Sequence, residues 1–130
     1  MPTFNFFEDI EAWQQARELT KEIYKVTKRE KLSKDFELKN QLTSASISIS
    51  SNIAEGFERG GNKEFQQFLS IAKGSVGEVK SQLYIALDQQ YIDKNECETI
   101  YKMASNIGNM IGGLIQYLKS SSQKGIKYKD

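Results

Sequence analysis

Apolar residues recur at intervals of three and four along four long stretches, which predicts four amphipathic helices. In the first stretch Ile10, Trp13, Ala16, Leu19, Ile23 and Val26 form one stripe, and Arg17, Glu18, Lys21, Glu22, Lys25 and Lys28 fill the opposite face. Glu8 and Asp9 suit its start, because carboxylates meet the positive end of the helix dipole. The helix is expected to end near Arg29, with Arg29–Asp35 as a charged loop. In the second stretch Leu38, Leu42, Ala45, Ile49, Ile53 and Gly56 keep the same spacing. Ser44–Ser50 alternates with period two, as a strand does, but the longer three-and-four pattern decides for a helix.

Glu58-Arg59-Gly60-Gly61 reads as a polar hinge, and Asn62 as the N-cap of a third helix running to about Gln90. Phe65, Leu69, Ala72, Val76, Val79, Leu83 and Ala86 are its stripe. Gly74 and Gly77 lie inside it, each at a cost of about 1 kcal/mol relative to alanine. That cost suggests a packing device, with the ring of Phe57 or Trp13 expected in the space. Asp93-x-x-Glu96 resembles a capping box, with Ile92 placed to staple onto Cys97. Cys97, Ile100, Ala104, Ile107, Ile111, Leu114 and Leu118 then give the most regular heptad of the chain, with Gly108 and Gly112 beside it as a close-packing pair.

Long helices with short connections predict an all-α, antiparallel up-down-up-down four-helix bundle. Residues 1–119 are expected as its single domain and 120–130 as a flexible basic tail. At 130 residues the chain is long enough to bury a core without disulfides or metal. Pro2 is the sole proline and lies outside the periodic region, so nothing interrupts the helices.

Composition narrows the chemistry. The chain has no histidine, which removes Ser-His and Cys-His catalysis and His-containing metal sites. Cys97 has no partner for an intrachain disulfide and is expected as a small buried thiol. No apolar run reaches the roughly 18–20 residues of a membrane span, and Met1–Phe4 lacks the start of a signal peptide, so a cytoplasmic location is expected. The net charge of +1 falls short of the basic excess of a dedicated nucleic-acid binder, so any such surface must come from local clustering or from several copies.

One pair of motifs is distinctive. Gln41-Leu42, Ser51-Asn52-Ile53-Ala54-Glu55-Gly56, Arg59, Glu64, Phe68-Leu69, Ala72-Lys73-Gly74-Ser75 and Glu78 resemble the four helix bundle protein family, also called 23S rRNA intervening-sequence proteins. Trp13, Ala16, Arg17, Leu19, Ile23 and Tyr24 join in, so the similarity covers roughly residues 6 to 118. The resemblance implies a bacterial protein whose role is mostly unassigned. It extends to the accessory variability determinant proteins of diversity-generating retroelements, and so implies a homo-oligomer, pentameric and barrel-like, that binds nucleic acid and a protein partner. Thr43-Ser44 stands where family members often carry arginine, so one basic position is lost.

The candidate nucleic-acid residues are Lys25, Lys28, Arg29, Lys31 and Lys34 around the first connection, Arg59 and Lys63 at the hinge, and Lys119 and Lys124 toward the C-terminus. Asn52, Glu55, Gly56, Glu64, Gly74, Ser75 and Glu78 are read as structural residues of the motif. Glu64 and Glu78 share a face but lie roughly 21 Å apart along a helix, so the motif's polar residues cannot form one site. No catalytic residue, cofactor or metal is expected. No aromatic-and-basic motif for base stacking is read from the sequence. Apolar residues beyond one stripe, namely Ile71, Val76, Val79, Tyr84 and Ile85, then Met103, Met110, Ile115 and Tyr117, predict a second buried surface, most simply between copies of the chain. The expected function is a non-catalytic, homo-oligomeric accessory protein that contacts RNA or DNA phosphates with little sequence specificity. The alternative is an oligomeric adaptor for a protein partner with no nucleic-acid role.

Overall fold

The structure, a computed structural model, describes residues 4–123. Among the described residues five helices follow one another: α1 (Glu11–Thr27), the short α2 (Glu30–Lys34), α3 (Phe36–Glu58), α4 (Asn62–Asp88) and α5 (Lys94–Gln123). A 3-10 turn, Phe7–Asp9, precedes them. The four long helices form a bundle in which α3 packs on α1 and α4, α4 on α5, and α5 closes back on α1. Cross-helix pairs fix the direction: Gln82 reaches Gln41 and Ser75 reaches Ser48, so α3 and α4 run antiparallel. The up-down-up-down, all-α bundle predicted from periodicity is the observed fold.

The core is the predicted stripe. Ala16, Leu19, Ile23, Leu42, Ile49, Ile53, Phe65, Leu69, Ala72, Leu83, Ala104, Ile107 and Ile111 are sealed from solvent. The leucine, isoleucine and phenylalanine side chains among them each contribute roughly 1.5–3 kcal/mol through burial. Helical periodicity therefore determines the fold more than any single polar contact. Cys97 is buried at the edge of this core, as expected, with its thiol near the Leu83 carbonyl at 3.8 Å. Burial raises the thiol's pKa, so it is a packing group with little thiolate.

The helix ends correct several expectations. Glu8 and Asp9 do not begin α1; they lie in the 3-10 turn, where the Asp9 carboxylate accepts from the Asn5 and Phe6 amides. Arg29–Asp35 is not a loop, because Leu32 is fully buried and its neighbours coil around it as α2. Asn62 is the first residue of α4, and Gly61 holds the N-cap position. Gly60 turns the chain with φ +81°, a left-handed conformation that glycine adopts without strain. The capping box at the start of α5 forms as read: the Glu96 amide donates to Asp93 at 2.8 Å and the Asp93 amide to Glu96 at 3.0 Å. The α5 helix continues past Lys119 to Gln123, and the remainder of the expected tail lies outside the described residues.

The glycines divide differently from expectation. Gly74 and Gly77 face outward, and a methyl group added at either meets no atom within 4 Å. Neither Phe57 nor Trp13 fills a gap there. The close approach is at Gly56 instead, where an added Cβ falls 2.6 Å from the Cβ of Phe68 and 3.1 Å from the ring of Phe65. On α5, Gly108 lies against Val76, and an added Cβ there makes ordinary contact at 3.4 Å.

Candidate nucleic-acid interface

The connection between α1 and α3 is held rigidly. Leu32 anchors α2 from below, Ser33 donates to the Glu30 carbonyl, and Asp35 caps α3 by accepting from the Leu38 amide at 3.1 Å. The Tyr91 hydroxyl, arriving from the turn after α4, donates to the other Asp35 oxygen at 2.9 Å. That hydrogen bond to a carboxylate raises the pKa of Tyr91. With the backbone fixed, Lys28, Lys31 and Lys34 project into solvent.

Arg29 belongs to a different kind of contact. Its guanidinium grips Glu96 with both nitrogens, one of them at 2.8 Å, and so ties the end of α1 to the start of α5. Glu96 also accepts from the Asp93 amide. The Arg29 hydrogen bonds, followed by that backbone donor, hold its carboxyl at a pKa of about 2. Arg29 is thus a clamp, while its lysine neighbours remain exposed at the same end of the bundle. Lys25 pairs with Glu22 at 3.1 Å, an exposed pair worth at most about 1 kcal/mol.

The other sequence candidates lie at the opposite end. With 23 residues in α3, the two ends are roughly 35 Å apart. Arg59 pairs with Glu55 at 2.8 Å and lies over the ring of Phe68 at 5.2 Å. Lys63 is exposed in the first turn of α4. Lys119 lines a shallow cleft between α4 and α5, with Lys73 and the outward faces of Gly74 and Gly112. Lys124 lies outside the described residues. The eight described candidates therefore form two separate groups, as an up-down bundle requires.

The motif residues are mostly the α3–α4 seam. Asn52 donates to the Ser48 carbonyl at 2.8 Å and to its hydroxyl at 2.9 Å, and Ser75 donates to that same hydroxyl from α4 at 2.9 Å. Gly56 allows the helices to close at Phe68. Glu64 lies over Gly61, and Glu78 is exposed beside Gln41 and Ser48 in a polar groove. Glu55 is engaged by Arg59, and among the described residues no three His, Cys, Asp or Glu side chains gather as a metal site.

One surface was missed in the sequence. Along the outer face of α1, Trp13, Arg17, Lys21, Tyr24, Lys25 and Lys28 line a groove of about 540 Å³, which Ser50 of α3 helps to close. Trp13 is half-buried, braced edge-on by Phe7 at 5.0 Å, and the Arg17 guanidinium lies 5.9 Å from its ring. Tyr24 is 39% exposed. The signal was present in the spacing, since positions 13, 17, 21, 24 and 28 follow one face of a helix. It was concealed because Trp13 also fits the inward stripe, and no contiguous run of basic and aromatic residues marks the site.

The family model for the 23S rRNA-intervening sequence protein matches residues 8–113. The chain belongs to that family. A solved structure similar to it is a protein of unknown function from the S23 ribosomal protein family of Bacteroides thetaiotaomicron, with a TM-score of 0.73 and 23% identity. The match covers 80% of this chain and 97% of that one, which shows a shared fold. No curated protein matches the chain. For this 23S rRNA-intervening sequence family member, no helix among the described residues is long and apolar enough to cross a membrane.

Proposed function

We propose that this member of the 23S rRNA-intervening sequence protein family is a non-catalytic, homo-oligomeric accessory protein of the cytoplasm that binds RNA or DNA through phosphate contacts. The observation that carries the reading is the loop end of the bundle. Lys28, Lys31 and Lys34 project from a backbone fixed by Leu32 and Asp35, and none of the three forms an ion pair among the described residues. Lysines on a rigid platform attract a polyanion without a large loss of backbone freedom, and phosphate affinity rises steeply with the number of charges neutralised. Contacts of this kind carry no base sequence.

Assembly follows from the outer face of α4. Ile71 and Tyr84 are each 53% exposed and Ile85 47%, beside the open backbone of Gly74 and Gly77. Val76 and Val79, counted both in the inward stripe and in the surplus, are inside the bundle as the stripe requires; Ile115 is inside too, while Met103, Met110 and Tyr117 pack against its edge. Of the residues the sequence pointed to, those left exposed are thus fewer and all on α4, while Phe36 and Ile47 add exposed apolar side chains on α3. A second copy seated there shields the apolar side chains, and a closed ring, five-membered as the family resemblance implies, multiplies each lysine group into a circle of positive charge.

The test is a salt titration of binding to a structured RNA and a duplex DNA, with the oligomer mass recorded on the same sample. Micromolar or tighter binding that falls steeply with salt supports the reading. An intact oligomer that binds neither at low salt directs the search to a protein partner instead.

A further inference from the structure

We infer that the groove on the outer face of α1 binds single-stranded nucleic acid, stacking bases on Trp13 and Tyr24 and seating phosphates on Arg17 and Lys28. This rests on the nucleic-acid reading above and names a site for it that the loop lysines alone do not supply. The argument begins with charge. Four cations line the groove and no carboxylate does. Glu18 and Glu22 stand beside it, but each is engaged, with Lys21 and Lys25 at 3.1 Å. Those pairs are exposed and weak, so both lysines can turn toward a phosphate. Arg17 and Lys28 form no ion pair among the described residues.

Shape and chemistry then select the ligand. The groove wall is mostly carbon, and it opens on two aromatic side chains about three helical turns apart. That separation is roughly 16 Å at 1.5 Å per residue, the length of about five stacked nucleotides at 3.4 Å each. Bases inside a duplex are already stacked on each other and cannot use these rings. An unpaired strand can, and stacking accepts any base. The Arg17 guanidinium lies over the Trp13 ring. A base entering here takes the place of this exposed side chain on the ring or stacks on the guanidinium plane itself, and either arrangement leaves Arg17 next to the phosphate. At its far end the groove reaches Lys28, next to Lys31 and Lys34, so the two surfaces make one basic track from mid-bundle to the loop end.

Trp13 is the only tryptophan of the chain, so its emission reports on this groove alone. The whole protein is titrated with oligouridylate and with a blunt duplex of equal length. The single strand is expected to quench Trp13, with an affinity that falls as salt rises, and the duplex to leave it bright. Tyr24→Ala is expected to weaken the single strand by roughly 5- to 100-fold, as loss of one stacked base does elsewhere. Lys102→Gln, on the exposed side of α5, should leave it unchanged. If a gel shift shows binding while Trp13 stays bright and Tyr24→Ala binds normally, the groove assignment is wrong and the broader nucleic-acid reading stands. If neither the oligonucleotides nor a structured RNA binds at low salt, both are wrong. Equal quenching by polyglutamate overturns the assignment in favour of an acidic peptide, and a change in emission on dilution alone overturns it in favour of a second copy.

Discussion

The outer faces of α1 and α4 belong to helices with the same inner periodicity, yet they present opposite surfaces. On α1, Arg17, Lys21, Lys25 and Lys28 surround two aromatic side chains. On α4, Ile71, Tyr84 and Ile85 flank two glycines with open space above them. A charged groove remains hydrated in the isolated molecule and gains from a polyanion. The apolar side chains of α4, set among exposed Ser70, Glu78 and Ser81, gain only when another protein surface excludes water from them. The bundle interior makes the fold, and in the reading proposed above the two outer faces divide the interactions between them.

The largest expected effect removes that shared interior. Ile107→Asp places a charge with no partner at a position sealed from solvent, so the bundle should lose its cooperative thermal transition and both outer faces with it. Circular dichroism through a thermal ramp decides this. A normal melting curve would mean that the α5 heptad is not what supports the two faces.

Next comes Gly56→Ala, which acts on the α3–α4 seam behind the outer face of α4. The added Cβ meets the Cβ of Phe68, which is fixed to the backbone and cannot swing aside. Overpacking of this kind costs about 1–3 kcal/mol. Urea denaturation should show a lower midpoint with an unchanged slope.

How far the sequence disclosed this arrangement depends on the range of the interaction. The four long helices were legible because apolar spacing is local, and the capping box at Asp93 and Glu96 spans one turn. The α2 helix was hidden because a single buried residue, Leu32, organises a run of charges. Which glycines face a neighbour was not legible, since Gly56 and Gly74 differ only in what another helix places opposite them. The Arg29–Glu96 clamp joins residues 67 positions apart, and nothing local announces it. The candidate surfaces followed the same rule. The loop lysines were visible as a cluster, while the α1 groove is spread over about four helical turns and closed by Ser50 of α3.

The clamp gives a smaller, pH-dependent effect at the loop end of α1. Glu96 has a folded pKa of about 2, below the roughly 4.3 of an unfolded glutamate. The folded state therefore holds the ionised form more strongly. Its contribution is fully present above about pH 4.3 and is lost as pH falls toward 2. Glu96→Gln should show a shallower decline in stability across that window than the parent chain. Parallel curves would mean that the clamp contributes nothing, as many exposed pairs do.

The smallest change bears most directly on the contrast between the two faces. Gly74→Ala and Gly77→Ala together add two methyl groups where no atom lies within 4 Å, so an isolated bundle has nothing to displace. Alanine restricts the unfolded chain and favours helix, by about 0.5–1 kcal/mol at each position. The dilute protein should therefore melt a few degrees higher. If another copy sits against this backbone, the same methyl groups hold it off, and the oligomer should shift toward smaller species in sedimentation while α1's binding of a single strand is retained. A double variant that is more stable and still fully assembled would place the subunit contact elsewhere, leaving the two glycines as an uncompensated cost to α4.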